Sequence, residues 1–226
     1  MKKFSSILSK EYAKEYANTH IEANDSNIKD LVNDALEKYG PTANLNFIDV
    51  GKVTNMDHLF EYSGFCGDVS EWDVSSVVSM EGMFIGCNKF NSEIGDWTVS
   101  NVENMDRMFE HCKNFNQDLS KWNVSNVKTM NHMFFECHLF DKNLKDWDVR
   151  NVIDMNSMFA KCINFRGKGL RKWNMKNVQN IDFMFRFCLK FEEDISKWDL
   201  RSCTSAKYFY DGAPNLIPIK RPMIAI

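Results

Sequence analysis

Few side chains in this chain have the type and spacing that chemistry requires. The histidines are His20, His58, His111, His132 and His138. Cys137 and His138 are neighbours, but a Cys–His nucleophile needs its base oriented by a third group, and a metal needs further ligands. His58 and His132 share one phase of a repeat but lie three repeats apart, roughly 15 Å at strand spacing. His132 and His138 are too far apart along a helical turn to pair. Asp146 and Asp148 would lie on one strand face about 7 Å apart, where they could exchange protons or hold Ca²⁺. The repeat itself produces that spacing. No phosphate loop, dinucleotide fingerprint or zincin motif is present. The expectation is a protein that is not an enzyme, with no catalytic residue, cofactor or metal.

The regular feature is structural. Trp72, Trp97, Trp122, Trp147, Trp173 and Trp198 are separated by 25, 25, 25, 26 and 25 residues. A fixed period of this size marks stacked repeats, each unable to bury its apolar face alone. The best-preserved unit runs from Leu119 to Asn143. Trp122 and Val124 are two apart, the period of a strand. Val127, Met130, Met133, Phe134 and Cys137 then fall on one face of a helix or tight helical turn. Asn101, Asn126, Asn151 and Asn177, with Ser76 and Ser202, sit just before that stretch and read as N-caps. Ile48 takes the Trp place in an early unit, and Ala206, Phe209 and Tyr210 mark a weakened last one. About seven strand rungs would make a stack roughly 30–35 Å long. One inserted residue at Arg166-Gly167-Lys168-Gly169 implies a loop bulge that glycine tolerates.

The repeat also accounts for the composition, 18 Phe and 13 Met. Met80, Met105, Met130 and Met155 form one column, and Phe84, Phe109, Phe134, Phe159 and Phe185 another. Cys87, Cys112, Cys137, Cys162 and Cys188 share one phase, which reads as buried thiols, with disulfides between adjacent rungs as the alternative. No apolar run approaches the roughly 18 residues of a membrane span. Two amphipathic stretches, about Ile7 to Ala17 and Ser26 to Tyr39, precede the repeats, the second ended by Gly40-Pro41. Pro214, Pro218 and Pro222 cannot donate to a further rung and suit a capping tail.

The unit Leu-x-x-Trp-x-Val-Ser-Asn-Val-x-x-Met-x-x-Met-Phe-x-x-Cys-x-x-Phe resembles the repeat of BspA-like leucine-rich-repeat proteins, in the subtype with a unit of about 25 residues often described as surface protein or of unknown function. The resemblance covers about residues 45–216. It implies an α/β fold: a right-handed solenoid with a parallel sheet on one face. Residues 1–44 are then a helical N-terminal cap, 45–216 the solenoid and 217–226 a C-terminal capping tail. It also implies binding rather than catalysis, and adhesion for exported members. No signal peptide is visible at the start, so the expected location is cytoplasmic, with cell surface or secretion the alternative from the resemblance.

With Trp and Val pointing inward, the flanking residues form the outward sheet face. Candidate protein-binding positions there are Glu71, Asp73, Asp96, Lys121, Asn123, Asp146, Asp148, Arg150, Lys172, Lys176, Lys197 and Arg201. Charge is uneven along the chain: residues 45–149 carry 8 Lys/Arg against 17 Asp/Glu, and residues 150–226 carry 14 against 7. Opposite ends could therefore meet head to tail, or the basic end could meet an acidic partner. Arg166, Lys168, Arg171, Lys172 and Lys176 could face nucleic acid, but the net charge of −3 and the lack of a nucleic-acid motif argue against it. The functional expectation is a protein–protein interaction module using the sheet face. A surface adhesin for host protein or glycan, and an intracellular effector or inhibitor, are the alternatives.

Overall fold

A computed structural model describes residues 21–216. The first amphipathic stretch, Ile7 to Ala17, and the tail at 217–226 lie outside the described residues. A short strand β1 (Ile21–Glu22) pairs in parallel with β2 (Ile48–Asp49). Between them runs helix α1 (Ile28–Tyr39), close to the span that Ser26 to Tyr39 implied. Its Ile28, Val32 and Ala35 join the same hydrophobic cluster as the repeats. Gly40 ends it at φ 79, a conformation glycine adopts at little cost. No helix among the described residues is long and apolar enough to cross a membrane.

Beyond β2 the repeats stack in register, but not through the elements that the periodicity implied. Parallel bridges join Asn55 to Ser79, then in turn to Asn104, Thr129, Asp154, Asn180 and Ser205. These residues lie just before the Met columns, in the half of the unit expected to be helical. From there Met130, His132, Phe134 and Glu136 donate their N–H groups to Asp154, Asn156, Met158 and Ala160 of the following repeat, at 3.0, 2.8, 2.9 and 3.0 Å. The intervening Met133, Phe135 and Cys137 instead donate to the carbonyls three residues back, at 3.2, 2.9 and 2.9 Å. A helix would direct every N–H inward along its own axis and leave none for a neighbour. Here adjacent repeats supply acceptors at the right height, so alternate peptides turn outward and the segment becomes a run of tight turns.

That alternation needs left-handed backbone at two positions per repeat. The first column is His58, Gly82, Arg107, His132, Ser157, Phe183 and Tyr208; the second is Tyr62, Gly86, His111, Glu136, Lys161, Phe187 and Gly212. All have positive φ, yet only three are glycine. Gly86 has a second reason: a Cβ there would stand 2.3 Å from the Tyr62 ring of the preceding repeat.

The Trp half is not a strand either. Its alternation is real as burial, with Trp122 and Val124 buried and Asn123 exposed. But the Trp122 N–H bonds back to Leu119 and the Val127 N–H to Val124, so the segment is a pair of turns. The Asn column does not cap helices. Asn101, Asn126, Asn151 and Asn177 each donate 2.7 Å bonds from Nδ2 to the main-chain oxygen of Ser75, Ser100, Ser125 and Arg150 in the repeat before. Side-chain amides thus replace the backbone ladder on this side of the stack.

The core is a set of stacked columns. Trp97, Trp122, Trp147, Trp173 and Trp198 lie almost parallel, with ring centroids 6.3–6.5 Å apart. Each indole N–H donates to a carbonyl of the preceding repeat, as Trp122 does to Ile94 at 3.0 Å. Phe84, Phe109, Phe134 and Phe159 stack beside them at 5.6–5.8 Å. The seven cysteines are free thiols. Those in the repeat column donate S–H to the Phe carbonyl one repeat earlier, as Cys137 does to Phe109 at 3.0 Å. At the insertion, Gly167 and Gly169 adopt φ 81 and 90 and lead into a 3-10 turn at Leu170–Lys172.

Trp122 is 2 % exposed and its only polar atom is bonded. Trp122→Ala is expected to cost about 3–5 kcal/mol in urea unfolding, the range for large aromatic truncation in cores. A near-neutral value would mean that the Trp column does not hold the stack.

Candidate functional site

The twelve flanking positions lie in turns rather than in a sheet. All are exposed except Asp148, which is half-buried. Several have local structural work. Asp73, Asn123 and Asp148 accept the N–H of Ser75, Ser125 and Arg150 two residues on, at 3.0, 3.1 and 3.2 Å, closing side-chain turns. The hydrogen bond from Ser75 holds the Asp73 carboxyl below the usual range. Others are paired: Lys121 with Asp96 at 2.6 Å, Arg150 with Asp148 at 2.8 Å, Lys145 with Asp146 at 3.8 Å, and Arg201 with Asp199 at 2.7 Å. The Arg201 hydrogen bond holds Asp199 down to about 2. Lys172, Lys176 and Lys197 are exposed and have no ion-pair partner among the described residues. The surface therefore keeps free cations at its C-terminal end, and carboxylates such as Glu71 and Asp73 at the other. Of the basic set considered for nucleic acid, Arg166 pairs with Asp141 and Arg171 with Glu193.

The ladder surface carries a second arrangement that sequence reading missed. His111, Glu136 and Lys161 occupy one left-handed column in three successive repeats. His111 Nδ1 lies 2.9 Å from Glu136 Oε2, and Lys161 Nζ lies 2.5 Å from Glu136 Oε1. Glu110 sits 3.5 Å from His111 Nε2 and 3.8 Å from Arg107 Nε, with its Oε2 buried and without a hydrogen bond. Burial raises the Glu110 carboxyl. Burial pushes Glu136 the same way, but hydrogen bonds from Lys161 and His111 outweigh it and the carboxyl is lowered. The Phe135 ring takes the His111 ring edge-on at 5.4 Å and Lys161 at 5.1 Å. The signal was the common phase 25 residues apart, visible only when acids and bases are compared across repeats.

This network links acidic and basic side chains across repeats, with both imidazole nitrogens of His111 facing carboxylates and Glu110 Oε2 left without a hydrogen bond. Cys137, beside His138 in sequence, is fully buried, and its desolvated thiol is pushed well up, away from nucleophilic use. Asp146 and Asp148 are engaged with different cations. A shallow groove of about 440 Å³ is lined by Thr42, Cys66, Asp68, Ser70, Lys89 and Glu93.

Fold and surface together define a repeat protein whose regular residues build a stacked core and whose irregular residues stand outside it. The chain belongs to the repeat-containing family described as Mycoplasma protein of unknown function, DUF285, whose model matches residues 26–145 and again 119–218. No curated protein and no solved structure matches the chain.

His132 gives a test of the ladder surface. Burial, reinforced by the charge of Arg107, lowers its pKa from 6.5 to about 4. The unfolded chain then binds a proton between those values that the folded chain refuses, so this contribution is complete above pH 6.5 and lost as pH falls toward 4. The urea midpoint is expected to be lower at pH 5 than at pH 7.5, and the difference to shrink in His132→Gln. An unchanged difference would place the proton elsewhere.

Proposed function

We propose that this protein is a non-catalytic protein-interaction module that uses its stacked core as a stiff support and recognises a partner through the exposed Trp-flanking surface. The observation that carries the reading is the division of labour along each unit. Trp, Val, Met, Phe and Cys columns are buried throughout the stack, while the positions flanking Trp change charge from repeat to repeat and stand in solvent. A surface with a fixed spacing and variable chemistry suits recognition by an extended interface. The absence of catalysis is part of the proposal. It is supported by the buried column thiols and by the engagement of His111 and Lys161 with Glu136.

We read the stack as a right-handed solenoid of leucine-rich-repeat type, with α1 as part of an N-terminal cap. The parallel bridges and the in-register aromatic columns support that reading. The sheet of such a solenoid is here reduced to a narrow ladder on the Met side, so the proposed binding surface is one of turns.

Lys172, Lys176 and Lys197 are the cations to change, because reversing Lys121 or Arg150 would also disturb local ion pairs. The intact chain is expected to retain a specific protein from the lysate of its source, and the Lys172→Glu, Lys176→Glu, Lys197→Glu variant to lose it. Retention by a folded variant would remove this surface from the interface.

A further inference from the structure

The charges beside the Trp column invert about the middle of the stack. The residues just before each Trp are Glu71, Asp96, Lys121, Asp146, Lys172 and Lys197, and all are exposed. Counted from opposite ends, each meets its opposite: Glu71 matches Lys197, Asp96 matches Lys172, and Lys121 matches Asp146. The point of inversion lies midway between Trp122 and Trp147. The residues one and three after Trp keep the pattern. With them, the repeats of Trp72, Trp97 and Trp122 carry net −2 (Glu71, Asp73), −1 (Asp96) and +1 (Lys121). Those of Trp198, Trp173 and Trp147 carry +1 (Lys197, Asp199, Arg201), +2 (Lys172, Lys176) and −1 (Asp146, Asp148, Arg150).

The stack holds these positions in line. The Trp rings from Trp97 to Trp198 lie within 1–4° of parallel to their neighbours, so successive repeats scarcely rotate against one another. The residue inserted before Trp173 does not break the column: the Trp147 and Trp173 rings are 6.3 Å apart, against 6.5 Å for Trp97 and Trp122. Asn126, Asn151 and Asn177 tie neighbouring repeats together just beyond the charged positions. Lys121 reaches Asp96, its neighbour in the column, at 2.6 Å. Glu71 at one end, and Lys172, Lys176 and Lys197 at the other, have no ion-pair partner among the described residues. Two such stacks facing each other in parallel would set each repeat against its own like charge. Facing each other antiparallel, they set every repeat against the opposite net charge.

We propose that the occupant of the Trp-flanking surface is a second copy of this chain, packed face to face and antiparallel about a two-fold axis between the repeats of Trp122 and Trp147. This rests on the reading of that surface as an interface, and names its partner. A two-fold axis makes each contact twice. Glu71 then pairs with Lys197 of the second copy, Asp96 with its Lys172, and Lys121 with its Asp146. Asp73 faces Asp199 of the second copy, a like pair, but Arg201 already bonds Asp199 at 2.7 Å and would stand between the two carboxylates. Lys121 gives up Asp96 easily, since the two side chains are 75 and 81 % exposed and such pairs contribute little. Solvated ion pairs set orientation more than affinity, so the dimer is expected to be weak and to dissociate with salt.

The test is sedimentation equilibrium on the full chain. The wild type is expected to form dimers and nothing larger at low salt, and monomers at high salt. The Glu71→Lys, Asp96→Lys variant should dimerise about tenfold more weakly or worse, as should Lys172→Glu, Lys197→Glu. An equimolar mixture of these two variants should dimerise as the wild type does, because every reversed charge then meets its complement. That recovery also shows that both variants are folded. The Asp96→Lys, Lys172→Glu variant should dimerise by itself, as only antiparallel pairing allows. A wild type that stays monomeric, dimers that survive either reversal, no recovery in the mixture, or assemblies that grow beyond two copies would each overturn the proposal. The reading of the surface as an interface fails separately. It stands if a monomeric wild type retains another protein that the Lys172→Glu, Lys176→Glu, Lys197→Glu variant loses, and falls with the proposal if that variant retains it.

Discussion

Everything regular in this molecule depends on hydrogen bonds that run between repeats rather than within them. On the Met side alternate backbone N–H groups reach the next repeat. On the Trp side the donors are side chains: the indole of Trp122, the amide of Asn126 and, in the interior, the thiol of Cys137 each reach back one repeat. A buried donor left unmade costs about 1–3 kcal/mol. Each of these residue types is therefore fixed by its neighbour in the stack as well as by its own packing. Cys in its column adds a second donor to a Phe carbonyl that already accepts the backbone N–H three residues on, as Phe109 accepts from Cys112 and from the Cys137 thiol.

The sequence revealed the period, the buried columns and α1 because these follow from apolar spacing alone. Trp122, Val124, Met130, Met133 and Phe134 are buried as their phases implied. Spacing could not reveal where the backbone bonds go. A 3-and-4 apolar spacing fits a helix, and it equally fits successive three-residue turns whose alternate peptides point outward. The deciding feature is the acceptor offered by the next repeat, a contact 24 or more residues away. The left-handed columns were hidden for the same reason: Arg107, Glu136 and Lys161 are not residues that announce positive φ. The Trp–Val alternation described burial faithfully but not strand pairing, because Asn126 and Asn123 take over the bonds that a ladder would make.

The candidate surface was legible as a set of positions and less so as chemistry. Glu71, Lys172, Lys176 and Lys197 stand exposed as expected, whereas Asp73, Asn123 and Asp148 close turns, and Lys121 and Arg150 are held by acids. Pairings such as His111 with Glu136 emerge only once residues of equal phase are set side by side. Fixed core columns free the outer columns to vary, and the two outer surfaces vary differently. The Trp side alternates charges. The ladder side passes from a His–Glu–Lys network to aromatics around Arg186.

Exchange of the six Trp indole N–H protons, followed by NMR in D₂O, tests the inter-repeat bonding most directly. All six donate to the carbonyl of an earlier repeat, from Trp72 at 2.9 Å to Trp198 at 2.8 Å. All are expected to exchange far more slowly than a solvent-exposed indole, and the central ones, Trp122 and Trp147, only as the stack opens. Fast exchange at Trp122 and Trp147 in a chain that remains folded would contradict it.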